Sequence, residues 1–121
     1  MGQARKISHA MVVGAREETR QIASTLIEES GFHVIEADSL EEAADVLGRF
    51  GRKIAFVFAE ASTEDARALA SLVARKWPWI RLLVSLDQGS PDESALPASA
   101  SCMHRPWRPL DLLIEAERAM H

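Results

Sequence analysis

The chain has 121 residues, a formal net charge of −4, and a composition that is 47% hydrophobic and 26% charged. This suffices for one hydrophobic core and not for two, so a single domain over 1–121 is expected, with its core over about 8–120. The same numbers exclude wholesale disorder. Mild acidity with scattered basic residues lacks the basic stripe of a nucleic-acid footprint.

No stretch approaches the roughly 18 apolar residues that a transmembrane helix needs. The lone cysteine, Cys102, excludes an internal disulfide and suits a reducing compartment. Met1–His9 lacks the apolar centre of a signal peptide, so a cytoplasmic location is expected.

Ala10–Val13 is predicted as a short buried strand leading into Gly14-Ala15. Glu17–Ser30 has the spacing of an amphipathic helix, with Ile22, Ala23, Leu26 and Ile27 on its inner side. Glu17 and Glu18 suit the positive end of its dipole, and Gly31 terminates it. Phe32–Ala37 is a second strand. Ser39-Leu40-Glu41-Glu42 has the form of a capping box. Ala43, Val46, Leu47 and Phe50 give that helix its inner face.

Lys53–Ala59 is a third strand, apolar at both parities, so both of its faces should be covered. It runs out onto Glu60. Ser62 opens a third helix carrying Ala66, Leu69, Ala70, Leu72 and Val73, and Pro78 bars its continuation. Ile80–Leu86 is a fourth strand. Residues 87–101 hold too much serine and proline for a regular helix, and at most a single turn near Asp92–Leu96 is expected. Ser101–His104 is a fifth strand. Pro109 suits the first position of a last helix, with Leu110, Leu113, Ile114 and Ala116 inward.

Strands alternating with helices imply a parallel sheet covered on both faces. The expected fold is α/β, a doubly wound five-stranded sheet in the flavodoxin-like order 2-1-3-4-5, with the helix between strands four and five shortened or missing. In such a sheet the site forms at the carboxyl ends of the strands. Here those ends bring Gly14, Ala15, Glu60, Ser85 and Arg105.

Met11-Val12-Val13, Arg20, Val34-Ile35-Glu36-Ala37, the run ending at Glu60, Leu82-Leu83-Val84-Ser85 and Arg105-Pro106-Trp107 stand in an ordered series. In that series the chain resembles the receiver domain of bacterial response regulators, such as the chemotaxis regulator. This is the phosphoacceptor module of two-component and phosphorelay signal transduction. The resemblance implies Mg²⁺-dependent self-phosphorylation of an aspartate. That chemistry uses two acids after the first strand, an acceptor aspartate after the third, a hydroxyl after the fourth and a lysine after the fifth.

In this chain Gly14 and Ala15 stand at the paired acids and Arg16 follows them. Glu60 stands at the acceptor, Ser85 at the hydroxyl and Arg105 at the lysine. Ser85 and Cys102 stand at the family's switch positions.

A hard divalent cation takes several oxygen ligands, carboxylates among them. Glycine and alanine supply none from their side chains, and Arg16 repels a cation. No metal and no other cofactor is therefore expected, and no catalytic residue is assigned. One reading has Arg105 hold Glu60 bidentately in place of metal and phosphate. The alternative is that both are solvated at a loop rim. Ser85 serves either as a remnant of the hydroxyl position or as a loop cap.

Trp77, Trp79 and Trp107 are candidates for an apolar interaction surface, with structural filling at the entry to strand four as the alternative for the first two. The four histidines lack metal-ligand spacing.

The reading is a non-enzymatic pseudo-receiver acting as a protein–protein interaction module. Its partner would be a histidine kinase, an output protein or a second copy of itself, with no direct contact to nucleic acid or membrane. The alternatives are a weakly active phosphoacceptor using Glu60 and a small flavodoxin-like enzyme domain.

Overall fold

The computed structural model describes residues 8–86 and 100–120. In chain order the elements are β1 (His9–Gly14), α1 (Glu17–Glu29), β2 (His33–Ala37), α2 (Leu40–Phe50) and a 3₁₀ turn (Gly51–Lys53). They continue through β3 (Ile54–Glu60), α3 (Thr63–Lys76), β4 (Arg81–Leu86), β5 (Ala100–His104) and α4 (Pro109–Met120). All strand pairings are parallel, in the order β2-β1-β3-β4-β5. The expected α/β fold and strand order are therefore present. The expected weakening of the helix between strands four and five falls on 87–101. All but Ala100 and Ser101, which lie in β5, are outside the described residues.

Alternation along the central strands builds two cores. Met11, Val13, Ile54, Val57 and Ala59 face α2 and α3. Ala10, Val12, Phe56 and Phe58 face α1 and α4. A strand buried on both faces must be apolar at both parities, and Phe56 to Ala59 are all buried.

Two serine caps set helix starts. Ser39 Oγ accepts the Glu42 N–H at 3.1 Å, while Glu42 Oε1 accepts the Asp38 N–H at 3.0 Å. Ser62 Oγ accepts the Asp65 N–H at 3.1 Å. Each satisfies a backbone donor that the helix itself leaves orphaned.

The helix faces depart from expectation at four apolar positions. Ile22 is 51% exposed, because α1 buries Ala23, Ser24 and Ile27 instead. Helix α4 buries Leu112 and Ala116, one turn apart, which leaves Leu110 at 64% and Ile114 at 41% exposure. Phe50 lies at the end of α2 and is exposed. Cys102 is half-buried on β5, beside the core and not within it.

Candidate functional site

Register places the site. Gly14 pairs with Glu60, and Glu60 with Ser85, so three strands end side by side. Arg105 follows β5, its N–H donating to the Leu86 carbonyl at 2.9 Å. The bond between Arg105 and Pro106 is cis. A groove of about 730 Å³ opens here, lined by Arg16, Thr19, Ile22, Glu60, Arg105, Pro106, Trp107 and Pro109. The structure thus brings Gly14, Arg16, Glu60, Ser85 and Arg105 to one end of the sheet, as the strand order requires.

Glu60 is held differently from the sequence expectation. Its Oε2 accepts the indole N–H of Trp107 at 3.1 Å. The Ser85 hydroxyl reaches the same oxygen at 3.5 Å, a long and weak contact. Among the ion pairs of the described residues, none joins Glu60 to Arg105. Of the two readings, the bidentate bridge is not among these pairs, and an indole donor holds Glu60 instead. Trp107 also packs edge-on against Phe58, with ring centroids 5.4 Å apart and planes at 83°. That is a favourable aromatic geometry, and it fixes the ring that carries the donor.

The loop after β1 is secured from α1. Arg20 donates from Nη1 to the Gly14 carbonyl at 2.8 Å and from Nε to Glu36 Oε1 at 2.8 Å. One guanidinium thereby ties β1, α1 and β2 together. Sequence reasoning named Arg20 only as a landmark and missed this role. Trp107 was read as surface, although a half-buried indole needs an acceptor and Glu60 is the acid at that end of β3.

The other two tryptophans do not join Trp107. Trp77 is half-buried against the first core and covers Gly51 so closely that a Cβ there would lie 2.3 Å from the indole nitrogen. Trp79 lies at the opposite end of the sheet, beside His9 and Lys53. The three therefore form no single apolar face.

The residues present do not fit a divalent cation. Gly14 and Ala15 offer no side-chain oxygen where the strand ends converge. Asp38 and Asp65 line a smaller hollow of about 140 Å³ next to Gly14. Even so, among the described residues no three of His, Cys, Asp and Glu are grouped as a metal ion requires.

No family model matches the chain, and no curated protein matches it. Solved structures do. A response regulator receiver domain protein from Clostridium thermocellum superposes with a TM-score of 0.80 at 19% identity, covering 94% of each chain. An orphan response regulator of H. pylori gives 0.81 at 18% identity, over 98% of this chain and 100% of that one. The fold is that of response-regulator receiver domains. A third receiver-fold match is an atypical orphan response regulator described as having a phosphorylation-independent regulatory mechanism. Its TM-score is 0.76 at 18% identity, covering 93% of this chain and 94% of that one. No helix among the described residues is long and apolar enough to cross a membrane.

Proposed function

We propose that this chain is a pseudo-receiver, a signalling module that binds a protein partner without passing through an aspartyl phosphate. The observation that carries the reading is the Trp107–Glu60 hydrogen bond at the acceptor position. Glu60 is engaged by groups of the chain itself, and the strand that should supply magnesium ligands ends in Gly14-Ala15. A phosphoryl group brings charge that a receiver neutralises with its cation, and nothing at these positions replaces that ion. The orphan regulator described as phosphorylation-independent supports such a mode on this fold.

Control then comes from what docks and from how much protein is present. The partner is a histidine kinase, an output protein or a second copy of the chain, in the cytoplasm. Sites named from the sequence take new roles in this reading. Glu60, Ser85 and Trp107 hold the end of β3, and Arg16 and Arg105 give the groove a cationic rim.

The test is incubation of the full chain with acetyl phosphate and Mg²⁺, followed by intact mass. The expected mass is unchanged. A gain of one phosphoryl mass that Glu60→Ala abolishes would establish the weak phosphoacceptor instead and refute the proposal. A tightly bound flavin or nucleotide at the groove would favour the flavodoxin-like enzyme.

A further inference from the structure

The sheet's other end, where the strands begin, carries a second cluster. His9 opens β1 and His33 opens β2, and their rings stack with centroids 5.5 Å apart and planes at 30°. Arg52 and Lys53 close the 3₁₀ turn that leads into β3. A groove of about 520 Å³ lies against them, lined by Ser8, His9, Arg52, Lys53, Ala55 and Trp79 among others. Trp79 is 54% exposed, a large indole left facing water.

The groove is lined by two cations and no acid. The chain carries net negative charge, and Arg20, Arg49, Arg81, Arg108 and Arg118 pair with carboxylates, while Arg16, Arg67, Arg75 and Lys76 appear in none of those pairs. Among the described residues, Arg52 and Lys53 pair with none, and no acid lines the groove. The Nδ1 atom of His9 is shielded from solvent and has no hydrogen-bond partner among the described residues.

Two cations in adjacent positions suit a dianion better than a single carboxylate. A bare indole beside them suits a flat ring, since base–aromatic stacking is tolerant of ring identity. The volume lies in the range of small-molecule sites, roughly 300–1,000 Å³.

We infer that the groove formed by His9, Arg52, Lys53 and Trp79 binds a phosphate-bearing aromatic small molecule, nucleotides being the commonest members of that class. Arg52 and Lys53 meet the phosphate with charge-assisted hydrogen bonds. The Ser8 hydroxyl and the His9 ring add polar contacts, and the Trp79 indole takes the ring.

The site is independent of the Glu60 end and of the function proposed for it. The groups facing His9 are His33 from β2 and Lys53 from the turn before β3. Both oppose its protonation, after burial, which is the larger cause. A bound dianion adds the opposite field and favours the imidazolium.

NMR on the full chain tests this, with AMP, adenosine and inorganic phosphate as probes. AMP should move the His9 ring and Trp79 indole resonances together and raise the pH at which His9 titrates. Adenosine and phosphate should each bind at least about tenfold more weakly than AMP, because each offers half of the recognition. The double variant Arg52→Ala/Lys53→Ala should weaken AMP at least about tenfold, and Trp79→Ala should erase its preference over phosphate. All three side chains are exposed, so the fold does not depend on them, and circular dichroism checks that it is kept. The inference is overturned if millimolar AMP leaves both resonances in place. It is equally overturned if the double variant binds AMP as the parent does, or if phosphate alone binds as tightly as AMP.

Discussion

Trp107→Phe tests the hydrogen bond on which the functional reading turns. The substitution keeps an aromatic ring against Phe58 and deletes the indole N–H that Glu60 accepts at 3.1 Å. A hydrogen bond to a charged group contributes about 1.5–3 kcal/mol, and Glu60 is only half-buried, which places this one near about 1.5 kcal/mol. The smaller ring gives up roughly 40 Å² of buried apolar surface, worth about 1 kcal/mol. The variant should therefore lose about 2–3 kcal/mol in urea unfolding followed by circular dichroism. Glu60→Ala removes the acceptor instead, and the double variant completes a cycle that cancels the packing loss. The coupling between positions 60 and 107 should then be about 1 kcal/mol or more. If the two losses add to within about 0.3–0.5 kcal/mol, the contact holds nothing together and the reading of Glu60 as internally engaged fails.

Restoring acids should restore metal binding. Gly14 has room for a side chain, since a Cβ there would meet only Glu60 atoms at 3.8 Å and beyond. Gly14→Asp/Ala15→Asp/Glu60→Asp should bind Mg²⁺ in calorimetry, while the parent chain gives no heat. Gly51→Ala drives a methyl into the Trp77 indole at 2.3 Å, and such overpacking should cost about 1–3 kcal/mol in thermal unfolding. His9 titrates below its ordinary value of 6.5 because of burial first, then the charges of His33 and Lys53. The unfolded chain therefore binds the extra proton more readily. Stability is unaffected by this group well above pH 6.5 and falls as the pH drops through and below that value. His9→Gln should flatten that acid limb in urea titrations between neutral and mildly acidic pH.

What was legible in the sequence follows from where local chemistry decides structure. The run Phe56–Ala59, apolar at both parities and short, reads as a strand covered on both faces, and it lies at the centre of the sheet. Ser39 and Ser62 announce helix starts because a hydroxyl must satisfy nearby backbone N–H groups, and both do so. Helix rotation was less legible. Leu110, Leu112, Leu113 and Ile114 are all apolar, so periodicity admits two inner faces for α4, and packing against the sheet selects Leu112 with Ala116. The same ambiguity put Ile22 inside.

At the site, the strand order fixed which ends converge, so Gly14, Glu60 and Ser85 were legible as neighbours. The partner of Glu60 was not. Choosing between Arg105 and Trp107 depends on how the chain turns after β5, which no local pattern encodes. The tie from Arg20 to Gly14 and Glu36 spans three elements and is equally invisible in one dimension.

A fold can survive the loss of its chemistry because different residues carry the two. The two cores are built from strand interiors and helix faces, and nothing in them depends on an acid. The strand ends carry the chemistry, and a cluster of carboxylates there raises like-charge repulsion that only a cation relieves. In the proposed reading, Gly14 and Ala15 at those positions bring no such repulsion and call for no ion to relieve it. The remaining carboxylate still requires a partner once it is half out of water. Trp107 supplies it from the segment after β5, so a charge that a receiver would balance with metal is here met by an indole N–H. The end of β3 is thereby tied to the segment after β5, and in the proposed reading the capacity to exchange a phosphoryl group is the part expected to go.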